Sequence, residues 1–109
     1  PPRKCLPNSV RGMVANVIIP EAVAEELRAI GDAIEAEAGK ATARAFVEKI
    51  AVRIFSLDSL PQRGAPYRQR YRRLFESPYQ IIYRVDEDAE ETTVHILTVR
   101  HMSRREPSL

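Results

Sequence analysis

The apolar run Thr93–Val99 leads directly into Arg100 and His101, and then, across Met102 and Ser103, into Arg104 and Arg105. A histidine set among guanidinium groups is the equipment of metal-free phosphodiester cleavage, with imidazole as acid or base and arginines steadying the pentavalent phosphate. Arginine itself cannot be the base, since its pKa lies above about 12. One histidine beside several arginines is a sparse pattern, so no residue is assigned a catalytic role and His101 stands as the sole candidate. His95 lies inside the apolar run and reads as structural. The two histidines are six residues apart, with no cysteine or carboxylate at ligand spacing, so no metal site is expected. Gly12, Gly31, Gly39 and Gly64 are isolated, which leaves no glycine-rich loop to cradle a phosphate and no cofactor to expect. Tyr67, Tyr71, Tyr79 and Tyr83 could stack on bases, but their alternation with other residues fits half-buried sheet positions better.

The second chemical signal is charge. Nine of the seventeen basic residues fall between Arg63 and Arg105, and all nine are arginine. The segment Glu21–Glu37 carries six acids against Arg28 alone, so a net charge of only +2 conceals an acidic half and a basic half. Planar guanidinium groups fork onto phosphate or carboxylate oxygens and stack on rings. A polyanion or an acidic protein is therefore the natural partner.

These groups need elements to hold them. Tyr79, Ile81, Tyr83 and Val85 alternate with Gln80, Ile82 and Arg84, and Thr93–Val99 is β-branched and apolar, so the two runs predict an antiparallel hairpin. Between them DEDAEE packs five carboxylates into six residues, a solvated loop tip. Upstream, Val14–Ile19 is a short strand-like run stopped by Pro20. Val23, Leu27, Ile30 and Ile34 then mark one face of a helix that Gly39 ends. Gly31 inside it costs about 1 kcal/mol relative to alanine and implies close helix packing or a local weakness. A second helix runs from about Lys40 to Leu57, with Ala43, Phe46 or Val47, Ile50, Ile54 and Leu57 as its buried stripe. Residues 59–66 read as a loop, and 67–77 as a strand with Arg70 and Arg72 on one face, Tyr71 and Arg73 on the other. The fold class is α+β, in the order β-α-α-β-β-β, with a helical hairpin packed on a small antiparallel sheet.

Length and composition bound the rest. A chain of 109 residues makes one domain, burying roughly 60–65% of its unfolded surface. Residues 1–12 hold three prolines and no periodicity, and are expected to be a disordered tail or non-native extension before Met13, with 13–109 as the domain. They lack the apolar core of a secretory signal. Cys5 is the only cysteine, and no run approaches the ~18 apolar residues of a membrane span, so a cytoplasmic setting without membrane contact is expected.

From about Val14 to Arg105 the chain resembles the RelE/ParE superfamily of bacterial toxins. The matching stretches are VIIPEAVAEELRAI, LDSLPQRGAPYR, YQIIYRVDED and ILTVRHMSRR. The resemblance implies the toxin of a type II toxin–antitoxin module, causing growth arrest and serving plasmid stabilisation. It is neutralised by a cognate antitoxin whose disordered segment folds over the hairpin and sheet as it binds. Leu27, Ile30, Ile34, Val47 and Ile50 are the expected antitoxin contacts; operator DNA is reached only through the antitoxin, and the two assemble as an oligomer. RelE-like members cleave mRNA on the ribosome, whereas ParE-like members inhibit DNA gyrase. Gln80 stands where RelE-like nucleases commonly carry an arginine, and Tyr71 and Arg73 where they carry lysines. The ParE branch is therefore favoured, with gyrase as target and Arg70, Arg73, Arg84, Arg100, Arg104 and Arg105 as its expected contacts. A ribosome-dependent mRNA interferase, a metal-independent endoribonuclease, is the alternative, and a non-toxic antitoxin-binding co-repressor the second.

Overall fold

The computed structural model describes residues 15–88 and 90–103. A short strand β1 (Asn16–Ile18) precedes helices α1 (Glu21–Ala38) and α2 (Lys40–Phe55), and one 3₁₀ turn (Ser56–Asp58) follows them. Strands β2 (Ala65–Tyr67), β3 (Tyr71–Glu76), β4 (Tyr79–Glu87) and β5 (Thr92–His101) complete the chain. They form one sheet in the order β1-β5-β4-β3-β2. β2 through β5 meander antiparallel as the alternating pattern requires. β1 joins the far edge parallel to β5, pairing Asn16–Ile18 with Thr93–His95, so the sheet is mixed.

The helical hairpin forms for the reasons its pattern gives. Pro20 stays extended (φ −64°, ψ 159°) as the cap rather than entering the first turn, and its carbonyl accepts the Val23 and Ala24 N–H groups. At the other end a single residue separates the helices. Gly39 sits at φ 95°, donates its N–H to Glu35 and accepts from Ala43, a conformation that glycine adopts without steric cost. Val23 and Ile30 from α1, and Ile50, Ile54 and Leu57 from α2 and its 3₁₀ turn, then meet Leu74, Ile81, Tyr83, Val94, Ile96 and Val99 of the sheet in one core. Of the expected antitoxin contacts, Ile50 is 0% and Ile30 7% exposed, since both pack the helices onto the sheet; Ile30 also lines a hollow between α1 and the end of β5.

Tyr83, fully buried at the centre of β4, fixes the connection into the sheet. Its hydroxyl accepts the Gly64 N–H at 2.9 Å and donates to the Pro61 carbonyl at 2.9 Å. A Cβ on Gly64 would lie 2.6 Å from that hydroxyl and 2.9 Å from the Arg73 carbonyl, so this approach admits only glycine. Gly31 is different, since a Cβ there would meet Val47 at an ordinary 3.5 Å. Close packing does not require a glycine there.

The strand expected over 67–77 is two strands. Arg68–Arg70 form a tight turn, with Arg68 at φ 56°, that folds β2 back onto β3 and pairs Tyr67 with Tyr71. Arg70 therefore sits in an exposed turn and does not share a strand face with Arg72. The tail over residues 1–12, Met13, Arg104 and Arg105 lie outside the described residues.

Candidate functional site

Period-two alternation and one irregularity decide which side chains share a face. Ile82 pairs with Thr98 but Tyr83 pairs with Ile96, so Leu97 is an extra residue bulged out of β5. The bulge lets Ile96 and Val99 both face the helices although three residues apart. Beyond it, Arg100 falls opposite Gln80 on the helix-free face, and His101 falls opposite Tyr79 on the helical side.

The helix-free face carries the densest charge chemistry. Arg73 of β3 lies between two rings, its Cζ 4.6 Å from the Tyr67 ring centroid and 5.3 Å from that of Phe75. Its Nη1 is 3.4 Å from Gln80 Oε1, too long for a strong hydrogen bond. Arg68 stacks on the Tyr67 ring from the turn, 5.3 Å away. Among the described residues no carboxylate pairs with Arg73, so its half-buried charge is held in place by rings and left for an external anion. Ile82, directly opposite Arg73, forms a fully buried floor, while Phe75 is exposed.

The other arginines divide by what they touch. Arg84 grips Asp86 through two bonds of 3.2 and 3.0 Å, and His95 Nε2 meets the same carboxylate at 3.0 Å. The Arg84 hydrogen bond, with the Arg84 and His95 charges behind it, holds the Asp86 carboxyl below its ordinary range. The charge of Arg84 is thus largely answered within the chain. Arg72 donates to the carbonyls of Gln62 and Gly64, Arg63 to Ser56, and Arg53 forms a 2.7 Å ion pair with Glu76 that ties α2 to β3. These three are structural. Arg100 stands opposite Gln80, whose partner on β3 is Phe75, while Arg73, opposite Ile82, approaches Gln80 diagonally.

His101 belongs to a different surface. Its ring stands edge-on to Tyr79 at 5.2 Å, and Tyr79 in turn packs on Phe46 of α2 at 5.6 Å. Nδ1 accepts the Ser103 N–H at 3.0 Å and lies 2.7 Å from the Ser103 hydroxyl. Because an amide can only donate, the neutral ring carries its proton on Nε2. The sequence placed an imidazole beside guanidinium groups, but successive strand residues point to opposite faces. Among the described residues the histidine and the arginine row are therefore on opposite sides of the sheet. Of the remaining antitoxin candidates, Leu27 and Val47 line a hollow of about 430 Å³ between the helices with Gly31, Arg28 and Arg44. Ile34 lines another, of about 420 Å³, with Phe46, Tyr79 and His101.

Sequence reasoning missed the two rings that hold Arg73, although Tyr67 and Phe75 were legible as apolar residues near it. It also missed Glu26, whose carboxylate takes the Val99 N–H and the Thr98 hydroxyl.

With this geometry in place, a family model described as the ParE toxin of type II toxin–antitoxin systems, parDE, matches residues 17–106. Among curated proteins none matches the sequence. Among solved structures, a chain of the chromosomal ParDE toxin–antitoxin system of P. aeruginosa superposes with a TM-score of 0.70 at 21% identity. The overlap covers 83% of this chain and 98% of that one. A chain of the toxin–antitoxin complex RelBE2 of Mycobacterium tuberculosis gives 0.59 at 21% identity, covering 82% and 92%. Both share the fold of two helices on a small sheet.

Proposed function

The chain belongs to the ParE toxins of type II toxin–antitoxin systems, and on that premise we propose that it arrests growth by inhibiting DNA gyrase in the cytoplasm, held silent by the antitoxin of its own operon. The observation that carries this over nucleolytic chemistry is the division of the sheet. General acid–base cleavage needs the proton-transfer group within hydrogen-bond reach of the scissile phosphate. Here the one candidate, His101, faces the helices, while Arg73 and Arg100 face away from them. Gln80, opposite Arg100 and with its side chain 3.4 Å from Arg73, offers a neutral amide that cannot neutralise a pentavalent phosphate as a guanidinium would.

A stacked, preorganised arginine bordered by an exposed phenylalanine suits protein recognition. Arginine and aromatic residues are enriched among the side chains that dominate interface energies. Arg73 would take a carboxylate of the target, with Phe75 as its apolar neighbour; Arg70, Arg100, Arg104 and Arg105 would be further contacts, and Arg84, whose charge Asp86 answers, would contribute less.

The test is a supercoiling assay run beside ribosome-programmed mRNA cleavage with the same purified protein. Gyrase inhibition that Arg73→Ala weakens, with no cut message, is the expected result. Cleavage at codon boundaries would replace this reading with the mRNA interferase. Activity in neither assay, with antitoxin binding retained, would leave the co-repressor.

A further inference from the structure

A hollow of about 660 Å³ lies on the outer side of α2, with no lining residue from α1 or β5. Ala45, Lys49, Val52 and Ser56 recur at spacings of four, three and four, so one helical stripe faces it. Arg63 of the following loop and Glu76 of β3 close the other side. This stripe is not the one α2 buries, since Ala43, Ile50 and Ile54 pack inward. Val52 is 69% exposed, and Phe55 and Leu60, close to it in the chain, are 54% and 60% exposed. Large apolar side chains left together in water mark a surface that a partner covers.

The charges around the hollow are only partly spent. Arg53 gives its charge to Glu76 at 2.7 Å. Arg63 is held differently: its Nη1 donates to Ser56 Oγ at 2.7 Å, and that hydroxyl donates onward to the Arg53 carbonyl at 2.7 Å. A hydroxyl orients a guanidinium without neutralising it. The backbone is fixed too, because Arg63 lies between Pro61 and Gly64, the two residues that Tyr83 ties down. Its own N–H reaches the Leu60 carbonyl at 3.1 Å. Lys49, one turn before Arg53, has no carboxylate partner among the described residues. Glu48, exposed at the rim, is the one lining carboxylate outside the Arg53 pair, so the lining remains net positive.

We propose that this hollow seats an acidic, amphipathic segment of the protein the toxin inhibits, its carboxylates on Lys49 and Arg63 and an apolar side chain against Val52 and Ala45. This rests on the gyrase reading above, in which Arg73 and Phe75 meet the target. Phe75 is 41% exposed and immediately precedes Glu76, so a contact over its ring continues around the edge of β3 into the hollow. β2 does not stand in the way, since it pairs only with Tyr71–Arg73. A guanidinium already fixed by Ser56 loses little freedom when a carboxylate arrives. Charge argues against other occupants. A partner matched to the acids of α1 carries lysine or arginine, which Lys49 and Arg63 repel. A second copy docked here across a twofold axis would set a net positive surface against itself.

The experiment measures the toxin concentration that half-inhibits supercoiling by purified gyrase, together with antitoxin affinity, melting temperature and sedimentation, for three variants. Val52→Asp and Lys49→Glu, both at exposed positions, should each raise the half-inhibiting concentration by about tenfold or more, with antitoxin affinity and melting temperature unchanged. Should Val52→Asp fail to fold, Lys49→Glu carries the test alone. Lys40→Glu makes the same charge change outside the hollow and should leave inhibition within about twofold of wild type. Normal inhibition by Val52→Asp and Lys49→Glu overturns the hollow as a target contact and leaves the gyrase reading standing. An equal loss with Lys40→Glu reduces the effect to the general field and also overturns it. Weakened antitoxin binding with inhibition intact assigns the hollow to the antitoxin, and a wild-type dimer that Val52→Asp dissociates assigns it to a second copy; either result overturns the proposal. No inhibition by wild type overturns the gyrase reading itself, and this occupant with it.

Discussion

Tyr83→Phe removes one oxygen and should cost this small domain about 2 kcal/mol. The hydroxyl is the partner of two backbone groups, the Gly64 N–H and the Pro61 carbonyl, each at 2.9 Å. Pro61 is only partly buried and its carbonyl can be rehydrated, whereas Gly64 is buried and its N–H would be left without an acceptor. An orphaned buried donor costs about 1–3 kcal/mol, and a rehydrated acceptor adds roughly 0.5 kcal/mol at most. For a domain of this size each kcal/mol moves Tm by about 4–8 °C, so a fall on the order of 10 °C is expected. Urea unfolding followed by circular dichroism checks it, with the midpoint shifting at unchanged slope. Gly64→Ala breaks the same bond by driving a Cβ to 2.6 Å from the hydroxyl, so the double variant should cost less than the sum of the singles. A loss below about 0.5 kcal/mol for Tyr83→Phe, or strict additivity with Gly64→Ala, would refute the claim that this hydroxyl pins the loop.

Burial raises the Tyr83 phenol above its ordinary 10.0, against the lowering pull of Gly64, Arg72 and Arg63. A raised folded-state value means stability is complete below 10.0 and drains away as pH climbs toward the folded value, so alkaline titration should destabilise wild type more steeply than Tyr83→Phe. Asp86 runs the other way: its carboxyl is depressed, so its contribution holds above 3.8 and falls away below it, which a comparison of acid unfolding with Asp86→Asn would detect. Gly31→Ala should raise stability by up to about 1 kcal/mol, since the new methyl finds an ordinary contact with Val47; calorimetry measures it. His101→Ala should leave toxicity on induction largely intact while Arg73→Ala reduces it, read as colony counts after expression. Abolition of toxicity by the histidine change alone would mark nucleolytic chemistry.

Much of the fold was written plainly in the chain. Val23, Leu27, Ile30 and Ile34 recur at helical spacing, and a single glycine between two such stripes forces a hairpin whose apolar faces need a sheet. The β4–β5 pairing followed from alternation on either side of an acidic tip. β2 was not legible, because three residues with a proline among them carry no periodic signal and owe their strand geometry to the backbone of β3. Nor was the parallel pairing of β1, which depends on where the helical hairpin returns the chain. The site was read less well. Arg100 and His101 are neighbours in sequence, and counting charges along the chain joined them, although strand geometry separates adjacent residues by the thickness of the sheet. Arg53, Arg63 and Arg72 looked the same as Arg73 in one dimension. What distinguishes them is whether a carboxylate, hydroxyl or carbonyl comes within reach, and that is decided by pairing across β3 and α2.

The bulge at Leu97 links these two surfaces. Without the extra residue, alternation from Ile96 would carry Val99 to the open face and bring Arg100 under the helices, where a guanidinium would meet the core formed by Ile30, Ile81 and Val23. A charge there is costly enough that the fold would not accept it. One inserted residue keeps the apolar side chain in and the arginine out. It also lets the Val99 N–H turn to Glu26 and puts His101 above Tyr79. The same irregularity that turns Arg100 toward the side of Gln80 therefore also sets the Tyr79–His101 ring contact on the other side of the sheet.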